Sequence, residues 1–252
     1  LAVQHAYSEN PKVYILEVNP RASRTVPFVC KATGEPLAKI AARVMVGQTM
    51  KQQGVKVEVT PKYMCVKEAV FPFTKFLGVD PVLGPEMRST GEVMGVGASF
   101  GEALYKAELG AGDRLPEKGT AFISVRDVDK ARAVSVATHL RDQGFNIVAT
   151  RGTAALLQHA AIPCRVVNKV SEGRPNVVDM IKNGDVQLVI ATADESRTQI
   201  SDARQIRQTA LAQLGVVYYT TISGAAAAVE GQKHAKDVEV RSLQELHAMN
   251  RA

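Results

Sequence analysis

At 252 residues, with 46% hydrophobic and 22% charged side chains, the chain has an ordinary globular composition and enough length for two compact units. Its formal charge of +6 is spread without a basic run or an aromatic stacking platform, which argues against nucleic acid as a partner. No apolar run reaches membrane-spanning length, no leader-like segment precedes Leu1, and Cys30, Cys65 and Cys164 are too scattered for a disulfide framework or a zinc site, so a reduced, cytoplasmic protein is expected.

In chain order, Leu1 to Gln4 reads as a short strand feeding the next one. Val13 to Val18 is an apolar run of strand length that predicts a buried strand, ended by Pro20, which removes a ladder donor. Glu17 and Asn19 are two apart, so a strand puts both oxygen donors on one face, as a hard cation such as Mg²⁺ prefers. Arg21 and Arg24 follow at once, and two guanidiniums beside such a pair suit metal-bound phosphate and a small carboxylate or carbonate anion. An exposed edge strand with a solvated charged turn fits the same spacing. Both readings stay open on residues alone.

Glu35 to Val46 carries Pro near its start, apolar residues at helical spacing and Gly47 just beyond, which predicts a helix. Residues 55 to 70 alternate as short strands do, and Pro72, Pro81 and Pro85 then impose an irregular stretch. Ser99 to Leu109 predicts a helix with Phe100, Ala103, Leu104 and Ala107 on one stripe. The Gly- and Pro-rich run 110–119 then reads as a boundary, giving domains 1–112 and 119–252 joined by a linker at 113–118.

Beyond it, Ala121 to Val125, Phe145 to Ala149, Arg165 to Val167, Val186 to Ala191 and Val216 to Tyr219 alternate with helical segments, which predicts a parallel α/β sandwich of Rossmann-like type. Ligands of such folds sit beyond the carboxyl ends of the strands. There the sequence has Ser124-Val125-Arg126 leading to Lys130, then Thr150-Arg151-Gly152-Thr153, then Asn168-Lys169. Hydroxyls, lysines and a glycine around a helix terminus make a phosphate cradle, although Thr and Ser are also common helix caps.

The run Glu17-Val18-Asn19-Pro20-Arg21-Ala22-Ser23-Arg24-Thr25-Val26-Pro27-Phe28, followed by Lys31-Ala32-Thr33-Gly34, resembles the end of an ATP-grasp domain. With Val66-Lys67-Glu68, Phe76-Leu77-Gly78-Val79-Asp80-Pro81 and Leu83 to Gly95, it is similar to the large chain of the carbamoyl phosphate synthetase family over essentially the whole length. The resemblance implies an α/β chain in which the C-terminal portion of the carbamoyl-phosphate-forming ATP-grasp domain precedes a methylglyoxal-synthase-like allosteric domain, as a C-terminal piece of a longer polypeptide. It implies a carbon-nitrogen ligase making carbamoyl phosphate from bicarbonate, glutamine-derived ammonia and two ATP, for pyrimidine and arginine biosynthesis. The fragment alone is expected to be inactive.

Carried over residue by residue, the resemblance makes Gln4, Glu17 and Asn19 ligands of Mg²⁺ or Mn²⁺ and of ATP phosphate, and Arg21 and Arg24 catalytic. Glu68, Leu83 and Thr220 match ornithine contacts, and Lys130, Thr150, Thr153 and Lys169 match the phosphate site of a nucleotide effector, UMP or IMP. A small glutaminase subunit and an oligomeric full-length enzyme follow from the same resemblance. Two departures stand out: Ala191-Thr192-Ala193 lacks the Asn and Thr expected for the sugar and base, leaving those contacts missing or to Thr192 and Ser196, and Tyr218-Tyr219-Thr220-Thr221 stands where an acidic residue is expected ahead of the threonines. Two other readings of the second domain are a methylglyoxal-synthase-like lyase and a stand-alone nucleotide-sensing module. The lyase needs a carboxylate base in the phosphate pocket, and Val170 to Pro175 lacks the Asp of its Gly- and Asp-rich turn.

Overall fold

The computed structural model describes residues 2–5, 13–18, 21, 23, 25–55, 58–75, 81–84, 86–192, 197–213, 215–236 and 238–251. They form two compact units, one of Leu1–Lys62 with Arg241–Ala252, the other of Tyr63–Val240.

In the first unit, β1 (Ala2–His5) and β2 (Val13–Glu17) pair antiparallel, with Gln4 opposite Tyr14 and Ala2 opposite Glu17. The strand at Val13 is present, but Tyr14, Ile15 and Val18 are exposed rather than buried. A two-stranded ribbon has no layer to cover both of its faces. Helix α1 (Thr25–Thr33) was not legible in the sequence, because Pro27 reads as a breaker. Pro27 sits in the first turn, where its missing N–H has no helical acceptor to lose. Helix α2 (Leu37–Met45) lies where Pro36 and Gly47 predict it, and it has no buried residue.

The second unit opens with β3 (Met64–Val70) antiparallel to β4 (Gly91–Gly97), covered by α3 (Phe100–Ala111). Ser99 caps α3 by accepting from the Glu102 amide, and Glu102 accepts in return from the Ala98 amide at 2.8 Å. Ala103, Leu104 and Ala107 are buried as the stripe predicts, whereas Phe100, in the first turn, is exposed. The helix lies so close to β4 that a Cβ on Gly95 would fall 1.9 Å from the Ala103 carbonyl oxygen.

Five parallel strands follow, β5 (Gly119–Ser124), β6 (Phe145–Thr150), β7 (Arg165–Val167), β8 (Leu188–Ala191) and β9 (Val217–Tyr219), in the order β7-β6-β5-β8-β9. The crossovers carry α4 (Lys130–Asp142), α5 (Arg151–His159), α6 (Val177–Lys182) and α7 (Arg197–Ala212), and α8 (Ile222–Gln232) follows β9. Alternation along β5 divides the core: Ala121 and Ile123 pack with α4, α5 and α8, while Phe122 packs with α6 and α7. A sheet covered on both faces needs near-continuous apolar strands, which is why these five were readable.

The run 113–118 lies within the second unit: Leu115 is buried in the same core as β5, and Gln232 Nε2 donates to the Pro116 carbonyl at 2.6 Å. The two compact units meet along the sequence at 62/63 and 240/241. The last helix, α9 (Leu243–Arg251), packs with α1 in the first unit.

Candidate functional site

Strand β5 lies between β6 and β8, and the chain leaves it toward β6 and β7 before returning to add β8 and β9 on the other side. That reversal opens a crevice at the carboxyl ends of β5 and β8. A cavity of about 190 Å³ occupies it, walled by residues following β5, β6, β7 and β8 and by the first half of α7.

Its polar wall is built from Ser124, Lys130, Thr150, Thr153 and Lys169. Ser124 Oγ and Thr150 Oγ1 share a hydrogen bond of 3.0 Å, and Thr153 Oγ1 accepts from the Val125 amide at 3.3 Å. Thr150 and Thr153 are buried, and Thr150, the residue before α5, makes no side-chain cap bond to that helix. The hydroxyl is thus turned toward Ser124 and the crevice rather than consumed as a cap. Gly152, in the first turn of α5, lets a ligand approach the helix amides, which carry the positive end of the dipole. Lys130 Nζ lies 2.7 Å from Asp127 Oδ1, and that hydrogen bond and charge hold the Asp127 carboxyl below its usual range. Burial works to raise Asp129, but bonds from Arg126 and Thr192 outweigh it and keep the carboxyl ionised. The Arg126 amide in turn donates to Thr192 Oγ1 at 3.0 Å. All four residues expected around an effector phosphate therefore line one cavity.

Sequence reasoning missed what α7 contributes. Asp202, Ala203 and Ile206 close the far wall, and Asp202 Oδ2 accepts from the Ser171 hydroxyl at 2.7 Å and its amide at 3.3 Å. Thr192 does remain in the cavity, while Ala193 and Ser196 lie outside the described residues.

A second polar cluster lies where α3 meets β9. Tyr219 Oη donates to Glu108 Oε1 at 3.1 Å. Burial pushes the Glu108 carboxyl up to about 7, with the Tyr219 bond opposing and the charges of Glu68 and Asp113 adding to the rise. Burial likewise raises Glu68, Asp113 and the Tyr219 phenol. Where the resemblance expects an acid on β9, a carboxylate thus arrives from α3. No local signal in the sequence links Glu108 to Tyr219, 111 residues away. Of the remaining ornithine candidates, Leu83 is exposed in the segment 81–84, and Thr220 is exposed just past β9.

The third set surrounds β2. Glu17 ends that strand and is exposed, and Arg21 is exposed in the following turn. Gln4 lies on β1 beside it, whereas Asn19 and Arg24 lie outside the described residues. Among the described residues no three His, Cys, Asp or Glu side chains stand close enough to hold a metal ion. The Glu17 carboxylate is an oxygen donor of the kind a hard cation prefers, and the register sets Gln4 across from Tyr14 and Ala2 across from Glu17.

A family model described as MGS-like domain matches residues 132–220, and one described as carbamoyl-phosphate synthase L chain, ATP binding domain, matches residues 2–53. The carbamoyl phosphate synthase large chain of Ralstonia nicotianae is 64% identical over 94% of this chain. Those of Xanthomonas campestris pv. campestris and Pasteurella multocida are 56% identical over 98% and 55% over 93%. The chain belongs to the carbamoyl phosphate synthase large-chain family. It spans 22% to 23% of the length of these relatives. In carbamoyl phosphate synthase terms, Thr150, Thr153 and Lys169 fall within the MGS-like match, and Glu17 and Arg21 within the ATP-binding match.

Proposed function

We propose that this chain supplies two parts of a carbamoyl phosphate synthase large chain: the end of an ATP-grasp ligase domain, at 1–112, and a nucleotide-sensing domain, at 119–252, with 113–118 as the inherited join. The whole enzyme condenses bicarbonate and ammonia at the expense of two ATP, the ammonia coming from a small glutaminase subunit. In the ligase part, Glu17, Gln4 and Asn19 would hold Mg²⁺ or Mn²⁺, an ion that would neutralise charge on the nucleotide phosphates. Arg21 and Arg24 present guanidiniums to the anionic carboxylate or carbamate being phosphorylated.

In the sensing part, Lys130, Lys169, Thr150, Thr153 and the start of α5 bind the phosphate of a nucleoside monophosphate, UMP or IMP. The remainder of the nucleotide faces Thr192 and the apolar wall of Ile206, so the base is read weakly. Asp202 is engaged by Ser171 and serves as wall rather than as the base a lyase requires. Glu68, Leu83 and Thr220 are candidate contacts for ornithine, whose amine would be drawn to Glu68.

One observation carries the reading: four residues from three separate strand ends converge on one cavity at the switch point of the sheet. Titration calorimetry of the 252-residue chain with UMP, IMP, uridine, inosine and inorganic phosphate tests it. The nucleotides should bind at micromolar levels, the nucleosides at least about tenfold more weakly, and Lys130→Ala or Lys169→Ala should each weaken nucleotide binding about tenfold. Equal binding of nucleoside and nucleotide, or unchanged affinity in both lysine variants, would return these residues to helix caps and solvated charges.

A further inference from the structure

Lys169 reaches the cavity from the loop after β7, where it immediately precedes a single 3₁₀ turn, Val170–Glu172. Two bonds close this turn on itself: the Glu172 amide donates to the Lys169 carbonyl at 3.1 Å, and the Lys169 amide donates to Glu172 Oε2 at 3.0 Å. Gly173, at φ +105°, ends the turn, and its carbonyl accepts from Asn176 Nδ2 at 3.1 Å. Asn176 is buried, so the far end of the loop is tied to the body of the domain. Ser171, Glu172 and Gly173 are exposed, whereas Lys169 and Val170 line the cavity. The loop is therefore a wall one turn thick, with water on one side and the cavity on the other.

An exposed turn of this kind takes its position from what grips it. Toward α5 the grip is loose, because Arg151 Nη2 lies 3.8 Å from Glu172 Oε2 at the surface, where an ion pair contributes little. Toward α7 it is firm. Asp202 Oδ2 accepts from the Ser171 hydroxyl at 2.7 Å and from its amide at 3.3 Å, two bonds to a charged acceptor. Asp202 itself lines the cavity. A carboxylate in the wall of an anion site repels phosphate, so its presence there calls for a purpose, and one of its oxygens is turned to Ser171.

We infer that Ser171 is a positioning residue of the effector site: bonded to Asp202, it holds the 3₁₀ turn against α7 and so fixes Lys169 where a phosphate meets it, a role that rests on the effector reading of the cavity. Ser171 bonds to α7 and touches no ligand. Released from Asp202, the turn samples positions in which the Lys169 ammonium is out of reach, and apparent affinity falls with the fraction of time that the lysine is in place. The loss falls on the phosphate. Thr192 and Ile206, which face the rest of the nucleotide, stay where they are.

A double-mutant cycle on the 252-residue chain tests this, with wild type, Ser171→Ala, Lys169→Ala, the double variant and Ser171→Thr each titrated calorimetrically with UMP, uridine and inorganic phosphate. Ser171→Ala should weaken UMP and phosphate about three- to tenfold and leave uridine within about twofold of wild type. Threonine keeps the hydroxyl, so Ser171→Thr should bind UMP as wild type does. Because Ser171 acts through Lys169, adding Ser171→Ala to Lys169→Ala should weaken UMP no further, within about twofold. Additive losses in the double variant, a loss shared equally by uridine, or no recovery in Ser171→Thr would mark a merely structural contact and overturn the inference. Unchanged UMP affinity in Ser171→Ala would overturn it as well. Each of these outcomes leaves the effector reading standing, whereas failure of the wild type to bind UMP or phosphate would remove both together.

Discussion

Burial pushes the Glu108 carboxyl from an ordinary value of 4.5 up to about 7, and this should be felt in stability near neutral pH. Below 4.5 the group is protonated folded and unfolded alike. Between that value and about 7 only the folded state keeps the proton, so the group's contribution is complete at the acid end and is lost as pH rises through the window. The loss is at most about 3 kcal/mol. Glu108→Gln keeps the shape and removes the charge, so urea unfolding should find the variant similar to wild type at acid pH and about 1–3 kcal/mol more stable at pH 8. An unchanged gap across that range would place Glu108 in contact with water. Lys130, Thr150, Thr153 and Lys169 were legible because each lies within a few residues of a strand end that the sequence predicts. Glu108 and Asp202 were not, because their partners Tyr219 and Ser171 lie 111 and 31 residues away.

At the scale of elements, the contact of β4 with α3 depends on the missing side chain of Gly95. A Cβ there would sit 1.9 Å from the Ala103 carbonyl oxygen and 2.5 Å from the Ala107 amide nitrogen, both backbone atoms of a helix that cannot yield locally. Gly95→Ala should therefore lift α3 off the ribbon and cost more than about 3 kcal/mol, read from denaturant unfolding of the 252-residue chain. A loss below about 1 kcal/mol would mean that helix and strand can slide apart cheaply. The parallel strands were readable because burial on both faces forces unbroken apolar runs. Helix α1 was not, since Pro27 is a breaker everywhere except in a first turn, and only the fold says where the first turn is.

At the scale of the whole molecule, the +6 charge and the two cavity lysines predict that nucleotide binding weakens with salt. Affinity for UMP should fall several-fold from low salt to about 0.5 M, whereas a pocket reading chiefly the base would hardly respond. Length predicts two units and packing divides the chain in two, but along a line that no linear reading would draw. The glycines and prolines at 110–119 look like a linker, yet Leu115 is buried and Pro116 is bonded to Gln232. Composition reports the flexibility of a free segment and says nothing about what a later helix will fold over it.

The return of α9 to α1 also orders the birth of the protein. His247 Nε2 donates to the Lys31 carbonyl from 216 residues away, so the last turn of α1 stays uncapped until residues 243–251 have left the ribosome. Most multidomain chains settle from the N-terminus onward as they are made. Here the middle, Tyr63–Val240, has all its own strands and helices in hand before α9 is made, and the unit that flanks it on both sides is completed afterwards. The end of α1 is therefore a stretch that a chaperone would have to guard while the middle unit is being made.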